Sequence, residues 1–163
     1  MRVAVAEPAR PGHAAIVNLF ELRLRLEASG PVPVTSAWQR YARPALWPTW
    51  SPQLRSVEIS GGDPDQELAA GTTGRVHGPV GVWADFTVLS FDAAARSWSW
   101  RVRRGPLTVR LEHTVEARAD EQGSRTTLVL HGLPPVVLGY APIAWYALHR
   151  LVSLPDQAVD RGH

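Results

Sequence analysis

A strict alternation of apolar and charged side chains marks the first predicted strand, over residues 16–27. Phe20, Leu22, Leu24 and Leu26 fall on one face, and Glu21, Arg23, Arg25 and Glu27 fall on the other. A period of two residues is typical of a strand with one face buried. The sequence Gly30-Pro31 then supplies a turn signal that ends the strand.

Six further strand-like runs follow after residue 53. They cover residues 54–60, 72–77, 83–91, 96–103, 107–117 and 124–131. Turns rich in Gly, Pro or Asp separate the runs, and no helical pattern lies between them. Short strands joined in this way predict a meandering antiparallel sheet.

A short helix is predicted between the first strand and the second. Ser36 is a good N-cap residue, and Gln39 lies three residues later, at capping-box spacing. The residue before a proline disfavours helical geometry, so this helix should stop before Pro44. We also expect a second short helical turn before residue 54.

The last part of the chain, residues 136–160, has a helical pattern. The apolar residues that recur at three- or four-residue spacing are Leu138, Ala141, Trp145, Leu148 and Val152. Pro142 should kink this helix or mark its first turn, and Pro155 should end or kink it again. This helix alone is long enough to cover one face of the sheet.

Residues 37–52, here called the Trp-Pro segment, contain three tryptophans and three prolines. Each proline fixes its own φ, and each indole has a large area to bury. We therefore expect a rigid, well-packed connection between the first two strands.

Composition narrows the possible functions. The 163 residues are enough for one domain, which we place at residues 15–163 after a flexible tail at 1–14. The chain has no Cys, and its six His lack HxH or HExxH spacing, so a metal site is not expected. All 17 strongly basic residues are Arg, a bias typical of bacteria with GC-rich DNA. They are scattered rather than arranged in a stripe, which argues against nucleic-acid binding.

No segment of the sequence predicts export or membrane insertion. The N-terminus has an early acid and only a short apolar run, unlike a signal peptide. The longest apolar run, residues 134–148, falls short of the ~20 residues that a membrane-spanning helix needs. We therefore expect a cytoplasmic protein, as a monomer or a homodimer.

The order and spacing of several motifs resemble the SRPBCC superfamily. These motifs are Ala37-Trp38, Trp47-Pro48-Thr49-Trp50-Ser51-Pro52, Gly71-Thr72-Thr73-Gly74, the strand around Trp98 and Trp100, and Leu111-Glu112-His113. The superfamily includes START lipid-binding domains, the birch-pollen allergen family and a polyketide cyclase/dehydratase group, and the last is the most similar. The resemblance implies an α+β helix-grip fold. In that fold a seven-stranded antiparallel sheet wraps around a long C-terminal helix, with two short helices after the first strand.

The resemblance also implies a hydrophobic internal cavity without a cofactor. By similarity with the family, Trp83, Asp85, Thr87 and Leu89 would line it from strand 83–91. Asp85 would then be an acid in a desolvated place, suited to proton transfer. Alternation alone equally allows Ala84, Phe86 and Val88 to face inward, with Asp85 in water. Related aromatase/cyclases are thought to use a cavity arginine, whose position corresponds to Leu89 here.

Other strands and the last helix supply further candidates. His113 is the polar member of an apolar row and would act as an acid or base, or else as a satisfied core residue. Trp98 and Trp100 share a strand face and would form either an aromatic binding wall or plain core packing. The remaining ligand-binding candidates are Val109, Leu111, Tyr140 and Trp145.

The function implied by the resemblance is binding of a hydrophobic small molecule in the cavity. Acid/base catalysis by Asp85 and His113, together with positioning, would promote cyclisation or dehydration of a polyketide-like substrate, as a lyase or isomerase does. The alternative is a non-catalytic carrier or sensor of a lipid or aromatic metabolite. The partner in either case is the small molecule.

Overall fold

The computed structural model of the chain describes residues 20–120 and 122–155. The elements, in chain order, are β1 (Leu22–Gly30), α1 (Val34–Ala42), α2 (Trp47–Trp50), β2 (Ser56–Ile59), β3 (Thr73–His77), β4 (Trp83–Asp92), β5 (Ser97–Arg104), β6 (Leu107–Ala117), β7 (Ser124–Gly132) and α3 (Pro134–Ser153). Two 3₁₀ turns, Pro44–Leu46 and Pro79–Gly81, complete the set. The predicted tail at residues 1–14 lies outside the described residues.

The seven strands form one antiparallel sheet in the order β1-β7-β6-β5-β4-β3-β2. Strands β2 to β7 follow one another as a meander, and β1 joins the sheet by pairing with β7. Helix α3 covers the inner face of this sheet, and its buried residues belong to the same hydrophobic core as those of the strands. The predicted helix-grip fold, with two short helices after β1, is confirmed.

Strand boundaries follow the turn signals closely. From β2 to β7 the strand ends differ from the predicted runs by at most two residues. In β1 the alternation is realised in the burial: Leu24 and Leu26 are buried, whereas Arg23 and Arg25 are exposed. Phe20, predicted on the buried face, lies just before β1 and is 73% exposed. Residues 16–19 of the predicted strand lie outside the described part.

Helix α1 ends as predicted but begins three residues earlier. Its N-cap is Pro33, whose carbonyl accepts a hydrogen bond from the Ala37 N–H at 3.0 Å. The predicted capping role of Ser36 is therefore wrong, because Ser36 already lies in the first turn. The helix ends at Ala42, and Arg43 is extended, as the steric effect of Pro44 requires.

Of the five apolar residues predicted to face the sheet from α3, three are buried: Ala141, Leu148 and Val152. Leu138 and Trp145, which were predicted to face the sheet, are 57% and 41% exposed. The buried face contains the small residues Ala141, Ala144 and Ala147. Alanines at three-residue spacing let the helix approach the sheet closely. This side of the helix therefore faces the sheet, although Leu138 and Trp145 are larger.

Pro142 lies inside α3 and does not end it. Its ring is exposed, as is Leu138, whose carbonyl would otherwise receive the missing N–H, so water can satisfy that carbonyl. In the described part of the chain, neither α3 nor the shorter helices have the length and apolar character needed to cross a membrane.

Candidate functional site

A cavity of about 380 Å³ lies between the inner face of the sheet and α3. Three regions form most of its wall. The Trp-Pro segment and the loop after it provide Trp47, Trp50, Ser51, Gln53 and Leu54; strands β5 and β6 provide Trp98, Trp100, Val102, Val109, Leu111 and His113; α3 provides Val136, Tyr140, Ile143, Ala144, Ala147 and Leu148. The volume falls within the ~300–1,000 Å³ range of small-molecule sites.

Indole rings make up one continuous side of this cavity. Trp98 and Trp100 alternate with serines along β5, so both project to the inner face. The ring of Trp47 lies 5.6 Å from that of Trp98 and 5.1 Å from that of Trp100, measured between centroids. The wall predicted from Trp98 and Trp100 therefore includes a third tryptophan from a distant part of the chain.

Hydrogen bonds to the end of α1 hold the Trp-Pro segment in place. The indole N–H of Trp47 donates to the carbonyl of Tyr41 at 2.9 Å, and that of Trp50 donates to the carbonyl of Arg40 at 3.0 Å. Carbonyls in the last turn of a helix lack intrahelical donors. The two indoles thus cap α1 while their rings line the cavity, which fixes the orientation of the wall.

His113 is buried in the cavity wall and is neutral. Its ring stacks on Trp98, with centroids 4.6 Å apart, and its Nε2 accepts a hydrogen bond from the indole of Trp100 at 3.1 Å. The accepting Nε2 leaves the proton on Nδ1, which is buried without a hydrogen-bond partner among the described residues. Burial lowers the pKa of His113 from 6.5 to about 3. Nε2, the basic nitrogen of this ring, therefore already accepts a hydrogen bond and has a low proton affinity.

Asp85 lies on the outer face of the sheet, so the predicted inner face of strand 83–91 is wrong. Ala84, Phe86 and Val88 point inward, and the last two are almost fully buried. Phe86 decides which face of the strand points inward. Its ring packs against Trp47, with centroids 5.5 Å apart, whereas an inward Asp85 would bury a carboxylate at a large cost in free energy. Asp85 instead accepts a hydrogen bond from Arg75 at 2.8 Å, which lowers its pKa.

Thr87 and Leu89 lie outside the cavity with Asp85. Leu89 falls where the pairing of β4 with β5 shifts register, between Val88 and Ser90, and its side chain is 38% exposed. The side chain at this position is not among those that line the cavity. The comparison with the catalytic arginine of aromatase/cyclases therefore does not apply at Leu89.

Trp83 lies at the edge of the cavity. It contributes to the lining although it is 39% exposed, and the guanidinium of Arg75 lies 3.9 Å from its ring centroid. This cation–π contact fixes the indole beside the Pro79–Gly81 turn. In that turn Val80 has φ 56°, an unusual value for a β-branched residue, and it is fully exposed.

Helix α3 contributes Tyr140 but not Trp145. The side-chain amide of Gln53 donates a hydrogen bond to the Tyr140 hydroxyl at 3.0 Å. Burial raises the pKa of Tyr140, and the hydrogen bond from Gln53 offsets part of that effect, so the phenol stays protonated at neutral pH. Trp145 faces away from the cavity and packs against His149, with ring centroids 4.2 Å apart.

A family profile described as "Polyketide cyclase / dehydrase and lipid transport" matches residues 22–150. The chain belongs to this family. The resemblance to the SRPBCC superfamily is thereby confirmed, and membership supports the binding of a hydrophobic ligand. No curated protein sequence matches the chain.

The helix-grip architecture of the chain is also seen in a solved structure. The crystal structure of Ara h 8.0201 superposes with a TM-score of 0.60 at 17% sequence identity. The match covers 80% of this chain and 97% of that chain. At this identity the similarity shows the fold alone.

Among the predicted site residues of this family member, seven line the cavity: Trp83, Trp98, Trp100, Val109, Leu111, His113 and Tyr140. Asp85, Thr87, Leu89 and Trp145 do not. Sequence reasoning missed Trp47, Trp50, Gln53 and the alanines of α3. The density of tryptophan in the Trp-Pro segment was the signal for the first two.

Among the described residues, the cavity wall carries no Asp, Glu or Arg side chain. Nor do three or more potential metal-ligating acids or histidines come together anywhere in residues 20–120 and 122–155. The arrangement can enclose an apolar molecule and offer it a few neutral hydrogen-bonding groups. It has no fixed charge with which to bind an ionic group.

Proposed function

We propose that the protein holds one uncharged hydrophobic molecule, aromatic or lipid-like, in this cavity and acts as its carrier or sensor. The observation that carries the proposal is a cavity of about 380 Å³ walled by indoles and aliphatic side chains, with no charged side chain among the described residues that line it. Such a site gains free energy from apolar burial, ~25 cal/mol per Å². It would penalise a charged ligand, whose desolvation nothing in the wall offsets.

A carrier is favoured over an acid/base catalyst by the groups that the cavity lacks. Asp85 is outside it and paired with Arg75. The Nε2 of His113 accepts a hydrogen bond from Trp100. Neither group is available to take a proton from a substrate in this arrangement, and within residues 20–120 and 122–155 no carboxylate lines the cavity.

Cyclisation or dehydration of a polyketide-like substrate is the second candidate. Tyr140 favours it, because a protonated phenol in an apolar cavity can donate to a substrate carbonyl and stabilise the developing negative charge. Catalysis would then depend on holding a reactive chain in a folded shape rather than on a strong base. The family description, which names both cyclase/dehydrase and lipid transport, accommodates both candidates.

Binding is tested with a matched pair of fluorescent probes. N-phenyl-1-naphthylamine is uncharged, and 1-anilinonaphthalene-8-sulfonate is the same molecule with one sulfonate added. We expect saturable one-to-one binding of the neutral probe, with an affinity at least about tenfold higher than that of the sulfonate. Equal or tighter binding of the sulfonate would contradict a neutral, apolar site.

Variants that fill the cavity locate the binding. Ala144→Phe places a ring in the wall beside α3, and Val102→Phe does so from the half-buried end of β5. Either change should weaken binding of the neutral probe by about tenfold or more. The matched control is Ala94→Phe, in the exposed β4–β5 turn, which should leave the affinity unchanged.

Mass spectrometry of an organic extract separates the carrier from the enzyme. The protein is purified from its native host, and any stoichiometric compound is identified and then incubated with fresh protein. A carrier returns the compound unchanged, whereas a cyclase or dehydratase converts it, in the second case with loss of water.

A further inference from the structure

A polar pair in the cavity wall joins α3 to the loop after α2. Gln53, from the loop after α2, donates to the Tyr140 hydroxyl of α3 at 3.0 Å, and both residues line the cavity. The other amide atom of Gln53, Oε1, is buried and has no hydrogen-bond partner among the described residues. Buried polar atoms are rarely left unpaired, since each costs as much as a lost hydrogen bond.

The hydrogen-bonding capacity that remains on this pair is the same in both orientations of the amide. In the orientation described, the Tyr140 hydroxyl hydrogen is a free donor and Gln53 Oε1 is a free acceptor. With the amide turned over, Tyr140 donates to Gln53, so an amide N–H becomes the free donor and the Tyr140 oxygen keeps a free lone pair. Either way, the pair keeps a free donor and a free acceptor for a ligand, besides the second amide N–H.

Among small polar groups, a hydroxyl fits this requirement best. It donates one hydrogen bond and accepts another, so it satisfies both free positions at once. A ketone or ether oxygen only accepts and would leave the free acceptor unpaired. A carboxylate would place a charge in a wall without a cation.

We infer that Gln53 and Tyr140 form a polar anchor that selects ligands carrying a hydroxyl group, either a phenol or an alicyclic alcohol, over otherwise identical hydrocarbons. This inference rests on the proposed function, because it assigns the ligand class of the same cavity. It gives the two residues the role of specificity determinants. The indole wall supplies affinity for the apolar body of the ligand, and the anchor sets its orientation.

The test compares 2-naphthol with 2-methylnaphthalene, which have nearly the same shape and differ in one hydroxyl. Both are titrated as competitors of bound N-phenyl-1-naphthylamine. The measured quantity is the preference, defined as the dissociation constant of 2-methylnaphthalene divided by that of 2-naphthol. The variants are Gln53→Met, which keeps side-chain length, Tyr140→Phe, which removes only the hydroxyl, and the combination of both.

The preference should fall by about tenfold in the double variant and by part of that in each single variant, while the affinity for 2-methylnaphthalene is kept. Thr87→Val is the control, since it removes a hydroxyl from the outer face of β4 and should not change the preference. If Gln53→Met does not fold, Tyr140→Phe alone decides, because the hydroxyl lies at the cavity and its loss removes only one group.

An unchanged preference in variants that still bind 2-methylnaphthalene would overturn the anchor and leave the proposed function intact. Failure of the wild-type protein to bind N-phenyl-1-naphthylamine would instead overturn both. A preference that falls equally in Thr87→Val would show that the effect does not arise in the cavity, which also overturns the anchor.

Discussion

Mild acid should destabilise the fold through His113. The folded chain keeps this residue neutral, because burial lowers its pKa from 6.5 to about 3. Between these two pH values the unfolded chain binds a proton that the folded chain does not, so the free energy of unfolding falls as the pH falls. The stability that depends on neutral His113 is fully present above about pH 6.5 and is lost progressively as the pH falls towards 3.

The size of the effect follows from the shift. Each pKa unit corresponds to about 1.4 kcal/mol, so His113 alone should lower the free energy of unfolding by about 2 kcal/mol between pH 7 and pH 5. That is a large part of the free energy of unfolding of an ordinary domain, which is about 5–15 kcal/mol. The ring is 4% exposed, so solvent does not screen the penalty appreciably.

Urea unfolding at pH 7, 6 and 5, followed by tryptophan fluorescence, measures this loss. His113→Phe keeps an aromatic ring against Trp98, and His113→Gln keeps a polar side chain; neither titrates. His113→Phe loses the hydrogen bond from Trp100, which is a cost independent of pH, whereas His113→Gln retains an acceptor for it. Both should therefore show a pH dependence shallower than wild type by about 2 kcal/mol over this interval. Parallel curves for wild type and variants would refute the neutral, buried state of His113.

Three further changes test other parts of the structure. Asp85→Asn should leave the affinity for N-phenyl-1-naphthylamine unchanged and barely move the urea midpoint, because this carboxylate is exposed on the outer face; a severalfold weaker affinity would contradict that placement. Tyr41→Phe should lower the free energy of unfolding by about 1–3 kcal/mol, since it removes a buried hydrogen bond with Thr126, and wild-type stability in a urea titration would argue against that bond. Gly74→Ala should destabilise by about 1–3 kcal/mol in the same titration, because its Cβ would lie 2.1 Å from a backbone oxygen of β2 and 2.8 Å from the Phe86 ring; an unchanged midpoint would mean that these strands are farther apart.

Local patterns predicted the sheet well because each strand carries its own signals. The alternation in β1 and the Gly-Pro turn before Leu107 depend only on neighbours in sequence. The inner face of β4 is different, since both of its faces carry apolar residues. The inward orientation of Phe86 depends on its contact with Trp47. Trp47 comes from the other side of the core, so the sequence of β4 alone does not reveal this contact.

The candidate site shows the same division. Trp98, Trp100 and His113 followed from strand alternation and do line the cavity. The wall contributed by α3 followed only in part: Tyr140 was predicted, whereas Ala144 and Ala147 were not, because hydrophobic periodicity weights large residues. Gln53 lay in a loop with no periodic pattern at all, and only the tertiary structure brings it to Tyr140.

The double duty of Trp47 and Trp50 restricts how this pocket can diversify. Replacing either indole to reshape the cavity would also strip a donor from the last carbonyls of α1, so a gain in ligand range would come with a loss of stability. Ala144 and Val109 donate no hydrogen bond to another element, because their side chains carry no polar atoms. New specificities within this lineage should therefore arise by substitution along α3 and β6, while the two tryptophans persist.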